Sequence, residues 1–489
     1  MRCALLLLVA VLPASAADAV PKTPVPNSPF VGVVYRYADA MLDHGRDSQG
    51  PHQTGLLLSA LDRVTLGRLT NRPPAPSGVR AANRLGSPNG ALTGANLQQD
   101  ENLLRLLYLL SDLSSKPKYR DAADTALKWF LQNTPSPETH LFPWGAHLSW
   151  DVVKGGPAAA DAEPGGTHEF FRPWMLWDRC FELGPEASRR FALGLWDGQI
   201  ADHNTGAFDQ QAAFSTRRPG QRMDTARHAG FYIRTWATAW AQTQDERFLK
   251  AIEVLLQRFE KKRHPRSGLI EAWTGHSNAC VSSTLSLAID CDGSAYRVPE
   301  PLASRLRAFA SREDDIFCSL AHELKSSGGF VTELDLATGQ ARERPTPLWH
   351  GRDGGNTTAQ VAMMCVSRYE NTGKVGYREL VQAAAESYLK SMPAEDEEAW
   401  PGTFGHVISL QLAAWRDTAR SAHLDRAREL GNFAVEKFFD KGPLPRASLK
   451  TDHYESITGA DTLALALVEL HLHILHITAV RCPPNTIDR

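Results

Sequence analysis

The sequence predicts an all-α protein in which helical hairpins close into a ring. Three observations support this fold class: apolar residues recur with helical periodicity, the helices come in pairs, and the second helices of several pairs begin alike. That shared beginning is a polar turn, an aromatic residue or leucine, and an alanine-rich stretch, as in 118–123, 247–251, 376–380 and 423–427. We therefore predict one large domain over 31–478, although 489 residues alone would favour about three domains.

The N-terminus has the features of a secretion signal. A short positive start precedes the apolar run 4–12 and the small residues 14–16. The apolar run is too short to span a bilayer, and no later run reaches the roughly 18 apolar residues of a transmembrane helix. We expect residues 1–16 to be a cleaved signal peptide, residues 17–30 a linker, and the protein to be secreted or periplasmic without membrane insertion.

The hairpins follow one another along the rest of the chain. First helices are predicted to begin near 96, 168, 228, 278, 354, 403 and 456, and their partners near 117, 186, 246, 300, 376 and 421. The last first helix lacks a following partner, and the amphipathic segment 31–46 can close the ring in its place. A mean spacing of about 60 residues exceeds the roughly 34 to 47 of open solenoid repeats and favours a closed (α/α)6-7 toroid.

Two segments interrupt the hairpin pattern. Residues 47–95 are rich in Gly, Pro and Asn, and residues 328–349 contain a predicted β-hairpin around Thr338-Gly339. We interpret both as insertions in the single domain and residues 479–489 as a C-terminal tail. In an oxidising compartment Cys280 and Cys291 can form a disulfide, and free buried thiols are the equal alternative.

Charge and composition exclude several classes of protein. Lys and Arg number 53 against 55 Asp and Glu, and a net charge of -2 excludes a basic nucleic-acid-binding protein. The composition, 43% hydrophobic and 22% charged, excludes a disordered chain. Exposed aromatic rings commonly hold sugars, and the chain has 12 Trp and 10 Tyr.

Polar residues concentrate where the inner helices begin. In a ring of hairpins these helices run in one direction, so their N-termini line one mouth, where partial positive charge favours an anionic ligand. Pairs four residues apart, such as Asn96 with Asp100, lie on one helix face. The predicted substrate-binding residues at this mouth are Asn96, Asp100, Glu169, Trp273, His276, Trp349, His350, Arg352, Asn356, His406, His453 and Tyr454.

The residue types at the mouth favour β-elimination on an acidic sugar. A lyase must neutralise the uronate carboxylate, remove the C5 proton and protonate the leaving oxygen, and Arg, His and Tyr can perform these tasks. We predict His228 and Tyr232 as base and acid and Arg172 or Arg227 as the neutralising group, with His168 also catalytic. Salt bridges for the arginines and a core position for His228 are the structural alternatives.

Two other functions stay open at this point. An inverting glycosidase needs two carboxylates roughly 6.5–9.5 Å apart, one of them protonated. The candidates for such a pair are Asp100, Glu169, Asp353, Glu455 and Asp461. A non-catalytic glycan-binding protein can use the same ring with an aromatic cleft.

Three sequence features carry a resemblance to known proteins. The paired helices, the turn TQDERFL at 243–249, and the stretches Thr167–Phe170 and Arg227–Tyr232 resemble secreted bacterial (α/α)-toroid carbohydrate-active proteins. Seven hairpins are similar to the (α/α)7 polysaccharide lyases that act on pectate, alginate or glucuronan. The resemblance implies cleavage of a uronic-acid-containing polysaccharide, with an anionic polysaccharide or oligosaccharide as the partner.

The two types of lyase imply different chemistry. Pectate lyases of this shape imply an Arg base with a His/His/Glu metal site, a set that His168, His228 and Glu169 mimic here. The alginate and glucuronan type implies a metal-independent His/Tyr pair, which is closer to His228 and Tyr232. We therefore expect no cofactor, with a divalent cation left open.

Overall fold

The computed structural model describes residues 28–48, 50–79, 90–159, 166–217, 223–326, 328–351 and 356–489. The predicted signal peptide at 1–16 lies outside the described residues, as do most of the linker and part of the insertion 47–95. The helices are α1 Pro29–Ala40, α2 Gly90–Thr93, α3 Glu101–Ser114, α4 Pro117–Asn133, α5 Trp177–Leu183, α6 Pro185–Gly194, α7 Ala226–Thr243, α8 Glu246–Lys261, α9 Val281–Ala295, α10 Leu302–Ser319, α11 Thr358–Thr372, α12 Val375–Ser387, α13 Pro401–Thr418, α14 Ser421–Phe438 and α15 Ala460–Ile474.

The long helices form the two layers of an (α/α) toroid. In the inner layer α7 contacts α9, α9 contacts α11, α11 contacts α13, α13 contacts α15, and α15 contacts α3. The outer helices α4, α8, α10, α12 and α14 each pack against the inner helix that precedes them. Helix α1 packs against α14, α15 and α3, so the N-terminal helix closes the ring. The predicted fold class and the predicted closing helix are both confirmed.

The second hairpin departs from the predicted positions. Its first helix, α5, begins at Trp177 rather than near 168, and it contacts α4, α6 and α7. The helix starts late because residues 167–168 form a short strand that pairs with residues 212–213. This strand is what places Glu169 at the mouth of the ring.

Burial separates inner from outer helices. Along the inner helix α15 nearly every side chain from Ala460 to Leu472 is buried, since the helix has neighbours on all sides. The outer helix α8 buries one stripe and is capped at its N-terminus by Asp245, whose carboxylate accepts a hydrogen bond from the N–H of Arg247. The buried stripe of α8 consists of Phe248, Ala251, Ile252, Leu255, Leu256 and Phe259.

Short antiparallel strands connect the loops at the N-terminal ends of the inner helices. They are β1 Ala60–Leu61, β2 Gly94–Ala95, β3 Leu148–Asp151, β4 Gly156–Ala159, β5 Thr167–His168, β6 Ile200–Asp202, β7 Ala207–Phe208, β8 Ala212–Ala213, β9 Asn278–Cys280, β10 Glu333–Asp335 and β11 Tyr454–Glu455. The pairs are β1 with β11, β2 with β3, β3 with β4, β5 with β8, β6 with β7 and β9 with β10. The hairpin predicted around Thr338-Gly339 is present in short form: β10 pairs with β9 on one side, and on the other side Leu334 bridges Ala341 and the N–H of Arg342 donates to the carbonyl of Glu333.

Two further predictions concern a disulfide between Cys280 and Cys291 and the absence of membrane-spanning helices. All six cysteines of the described residues are free thiols, Cys280 and Cys291 among them. Of the helices in the described residues, none is both long and apolar enough to cross a membrane.

Candidate active site

A cavity of about 420 Å³ lies at the N-terminal ends of the inner helices. This volume is within the range of roughly 300–1,000 Å³ that is typical of sites for small ligands. One wall of the cavity comes from residues 146–147, 169–171, 210–211 and Arg227, and another part of the lining comes from Asn356, Gln360 and Trp400. The insertion 47–95 contributes Gly78 and Val79 to the lining, and the indole N–H of Trp400 donates to the carbonyl of Ser77.

Glu169 is the centre of the polar cluster on the first wall. Its two carboxylate oxygens face two imidazoles: Oε2 lies 3.0 Å from Nε2 of His147, and Oε1 lies 3.5 Å from Nε2 of His228. The side-chain amides of Gln210 and Gln211 each donate to the same carboxylate at 3.0 Å. Burial opposes ionisation, but the hydrogen bonds and imidazoles hold the pKa of Glu169 below its ordinary value.

The backbone around Gly145 fixes this cluster in place. Gly145 forms a parallel bridge with Glu169, and the N–H of Ala146 donates to the carbonyl of Glu169 at 2.9 Å. His147 follows directly and therefore lies beside the carboxylate. An added Cβ at Gly145, whose φ is +99°, would lie 1.8 Å from that carbonyl oxygen. Only glycine allows the two segments to approach so closely.

Arg227 lies in the first turn of α7 and lines the cavity beside this cluster. Its backbone N–H donates to the hydroxyl of Ser283 at 2.9 Å. Within the part of the chain that the structure describes, its guanidinium forms neither a hydrogen bond nor an ion pair. Burial lowers the pKa of Arg227, and the charge of Glu169 partly opposes this shift.

The floor of the cavity is formed by Arg172, His406 and Asp488. Nη1 of Arg172 lies 3.1 Å from Oδ1 of Asp488, and Oδ2 of Asp488 lies 3.0 Å from Nε2 of His406. Burial opposes ionisation, yet the guanidinium of Arg172 holds the pKa of Asp488 well below its usual range. Asp488 belongs to the predicted C-terminal tail, so the tail contributes to the site.

The structure brings five of the predicted residues to the cavity: Glu169, Arg172, Arg227, Asn356 and His406. Several others are buried behind its walls. His168 lies between Trp144 and Gln199, and burial lowers its pKa to about 4. Tyr232 packs among aromatic rings such as Phe170, and burial raises its pKa well above the ordinary value.

The other predicted residues have structural contacts or lie beside the cavity. Asn96 donates to two carbonyls, and Asp100 and Trp349 are buried. His453 is hydrogen-bonded to Glu455, and Tyr454 is hydrogen-bonded to Tyr37. His350 is next to the rim, where it contacts Ser77 and the carbonyl of Glu398. Trp273 and His276 contact each other on a loop outside the cavity lining. Arg352 lies outside the described residues, as does Asp353.

Sequence reasoning missed His147, Gln210, Gln211, Trp400 as a wall residue and Asp488. The predicted site residues lie mainly at inner-helix starts, whereas His147, Gln210 and Gln211 are in loops next to short strands. A histidine within the aromatic-rich stretch 142–150 was the available signal for His147. Asp488 gives no local signal, because only the path of the tail brings it to the floor.

Part of the chain is similar in sequence to carbohydrate-active enzymes. Residues 87–230 match the model of the periplasmic pectate lyase family. The pectate disaccharide-lyase of Dickeya dadantii is 23% identical over 186 residues, which is 37% of this chain. The matched part spans about a third of that enzyme, 33% of its length. The predicted resemblance to carbohydrate-active proteins of the (α/α) toroid is confirmed, and the family name is that of periplasmic enzymes.

Solved structures that are similar to this one over most of its length have very different sequences. A D-mannose isomerase is 9% identical, with a TM-score of 0.50, over 90% of this chain and 96% of that one. An unsaturated glucuronyl hydrolase specific for heparin is 11% identical, with a TM-score of 0.47, over 92% of this chain and 99% of that one. The first similarity supports the toroid fold and says nothing of the substrate.

Proposed function

We propose that this protein is a periplasmic lyase that cleaves a polyuronate of the pectate type by β-elimination in the cavity. The observation that carries the proposal is the position of Arg227. It lines the cavity next to Glu169, and both lie in the segment that matches the pectate lyase family. The cavity therefore contains a base, a carboxylate with its hydrogen-bond partners, and space for a sugar unit.

Arg227 is the proposed base. The pectate lyases that the sequence resembles use an arginine, and a base must reach the proton that it removes. Arg172 and Arg227 of the matched segment both line the cavity, but Arg172 is paired with Asp488. A guanidinium in water is too strongly basic to lose its proton, so the burial that lowers the pKa of Arg227 favours this role.

The reaction balances with one proton transfer to the protein. Arg227 takes the proton from C5, and the electron pair of that bond forms the double bond between C4 and C5. The bond from C4 to the glycosidic oxygen breaks, the leaving oxygen takes a proton from water, and the hydroxide so formed takes the proton from Arg227, which restores the base. His228 and Tyr232, the first candidates for base and acid, are buried and do not line the cavity. The proposal therefore assigns them no contact with the substrate.

The carboxyl groups of the cavity favour elimination over hydrolysis. Among the described residues of the lining, only Glu169 and Asp488 have a carboxylate side chain. The pKa of each lies below its ordinary value, so both are ionised near neutral pH. An inverting glycosidase needs one carboxyl group that holds a proton.

His147, Glu169 and His228 offer the donor types of a site for a divalent cation. The hydroxyl of Thr225 donates to Oε1 of Gln210 at 2.8 Å, so it must accept the proton of Nδ1 of His228, also at 2.8 Å. Nε2 of His228 then has a lone pair directed at Glu169 and at the carbonyl of Phe170, 3.1 Å away.

A bound cation would reduce the repulsion between the lone pair of Nε2 of His228 and the oxygen atoms that it faces. In the positions observed, no three His, Cys, Asp or Glu side chains of the described residues are spaced to hold a metal ion, so binding requires small side-chain movements. Two imidazoles and a carboxylate suit a transition metal. When bound, the cation would withdraw electrons from the uronate carboxylate and make the C5 proton more acidic.

The test is ultraviolet absorbance during incubation with polygalacturonate, because elimination creates a double bond conjugated to a carboxylate. We expect absorbance to rise with wild-type protein. With Arg227→Lys the rate of this rise should be lower by a factor of about 10³, as for loss of a general base. Arg247→Lys, at an exposed arginine on α8 that pairs with Asp245, is the matched control and keeps the full rate. Arg227→Lys with a rate within tenfold of wild type refutes the base assignment. New reducing ends without absorbance refute elimination.

A further inference from the structure

Segment 482–489 runs through the interior of the ring. It is held by the inner helices α3, α9, α13 and α15, which surround it. The contacts are Arg105 donating to the carbonyl of Pro484 at 2.9 Å, Asn485 donating to the carbonyl of Thr462 at 3.0 Å, His406 to Asp488 at 3.0 Å, and Arg489 donating to Asp290 at 2.6 Å. The tail is therefore a fixed part of the toroid and closes the cavity from below.

The carboxylate of Asp488 has one acceptor position left. Its oxygens are contacted by Arg172, by His406 and by the hydroxyl of Thr462, which donates at 2.9 Å. A carboxylate offers about four lone-pair positions, so two hydrogen bonds and one ion-pair contact leave at least one. The side chain of Asp488 is 13% exposed and lines the cavity, which makes that position accessible to a ligand.

Arg172 supplies unused donors at the same place. Its side chain is only 2% exposed, and although Nη1 forms an ion pair with Asp488 at 3.1 Å, the guanidinium donates no hydrogen bond of good geometry among the described residues. Its charge is balanced by the nearby Asp488 and by Asp461. A group that offers donors and an acceptor without net positive charge suits neutral hydroxyls better than a carboxylate, which would meet the negative charge of Asp488.

We propose that Arg172 and Asp488 form a subsite that binds two neighbouring hydroxyl groups of a sugar ring at the floor of the cavity. Arg172 donates to one hydroxyl, and Asp488 accepts from the other. This subsite rests on the proposed function for the class of sugar, and it is separate from the wall that holds Glu169 and Arg227. It assigns Arg172 to binding sugar hydroxyls rather than to neutralising the uronate.

Kinetics with trigalacturonate test the subsite through Asp488→Asn. This variant keeps an oxygen towards Arg172 but loses the charged acceptor, so we expect KM to rise about tenfold with kcat within about threefold of wild type. The matched control is Asp314→Asn, which alters another buried Arg–Asp pair, with Arg368, away from the cavity. It is expected to lower the melting temperature and leave KM unchanged.

Two results overturn the subsite. One is a KM for Asp488→Asn within twofold of wild type in a folded protein, and the other is an equal rise of KM in Asp314→Asn. If Asp488→Asn does not fold, Arg172→Lys tests the same site, because lysine keeps the ion pair and lacks the planar set of donors. It must raise KM to a similar extent.

Calorimetric binding of D-galacturonate separates this inference from the proposed function. The monomer contains no glycosidic bond and is not cleaved. One outcome is that Asp488→Asn binds D-galacturonate more weakly than Asp314→Asn does, while no polyuronate undergoes elimination. This outcome supports the subsite and refutes the lyase. Normal elimination with unchanged binding in Asp488→Asn refutes the subsite alone.

Discussion

Replacing Glu101 with glutamine isolates the cost of burying a charge beneath the cavity floor. Glu101 begins α3, is fully buried, and accepts a hydrogen bond from the N–H of Met175. Burial raises its pKa to about 7, although Arg105 and Arg172 favour the charged form. The carboxyl group of Glu101 therefore binds its proton more tightly in the folded protein than in the unfolded chain. The stability that this difference provides is lost as pH rises.

The magnitude follows from the linkage between pKa and stability. Raising the pKa from 4.5 to about 7, at about 1.4 kcal/mol per pH unit, corresponds to about 3 kcal/mol. This stabilisation is complete below pH 4.5 and is lost as pH rises through about 7. Glutamine stays neutral at every pH. The free energy of unfolding of wild type, relative to Glu101→Gln, should therefore fall by about 3 kcal/mol between pH 4.5 and 8.

Urea unfolding at a series of pH values measures this difference. Glu246→Gln, at an exposed position on α8, is the control for the substitution itself. A difference between wild type and Glu101→Gln that is constant from pH 4.5 to 8 refutes the reasoning, because it means that Glu101 has the same pKa in the folded and unfolded states. A difference that grows in favour of wild type with rising pH refutes its sign.

Three further predictions concern other parts of the molecule. Gly145→Ala should lower stability by at least about 2 kcal/mol and reduce elimination, since its Cβ meets the carbonyl of Glu169; unchanged melting and activity contradict this. Arg368→Leu should cost about 3–5 kcal/mol in urea unfolding, because it leaves Asp314 and Asp292 buried without a counter-charge, and a loss below 1 kcal/mol argues against that pairing. Thiol titration of the unfolded, unreduced protein should find all six cysteines of residues 28–489 reactive, and four reactive thiols would indicate a disulfide.

Much of the fold was predictable because helix periodicity is a local property of the chain. Outer helices such as α8 show one apolar stripe, and inner helices such as α15 are apolar all round, so both layers can be assigned without coordinates. The start of α5 was not predictable in the same way. Residues 167–168 become a strand because residues 212–213 offer them a partner, and that pairing is not local.

The candidate site was predicted in part for a related reason. Glu169, Arg172 and Arg227 lie at or before inner-helix starts. Because the inner helices run in one direction, these starts all lie at one mouth of the ring. His147 is separated from Glu169 by 22 residues. It reaches the carboxylate only through the bridge at Gly145, and no periodicity indicates such a contact.

The sequence by itself determined the toroid, its closing N-terminal helix and the end of the ring where polar residues gather. These follow from spacing and hydrophobicity along the chain. Only the tertiary structure decided which polar residues share the cavity. It buried Tyr232 among aromatic rings and brought Asp488 through the ring to Arg172. Packing between distant segments sets which side chains stay accessible and which charges are paired, and adjacent residues in the sequence do not encode that outcome.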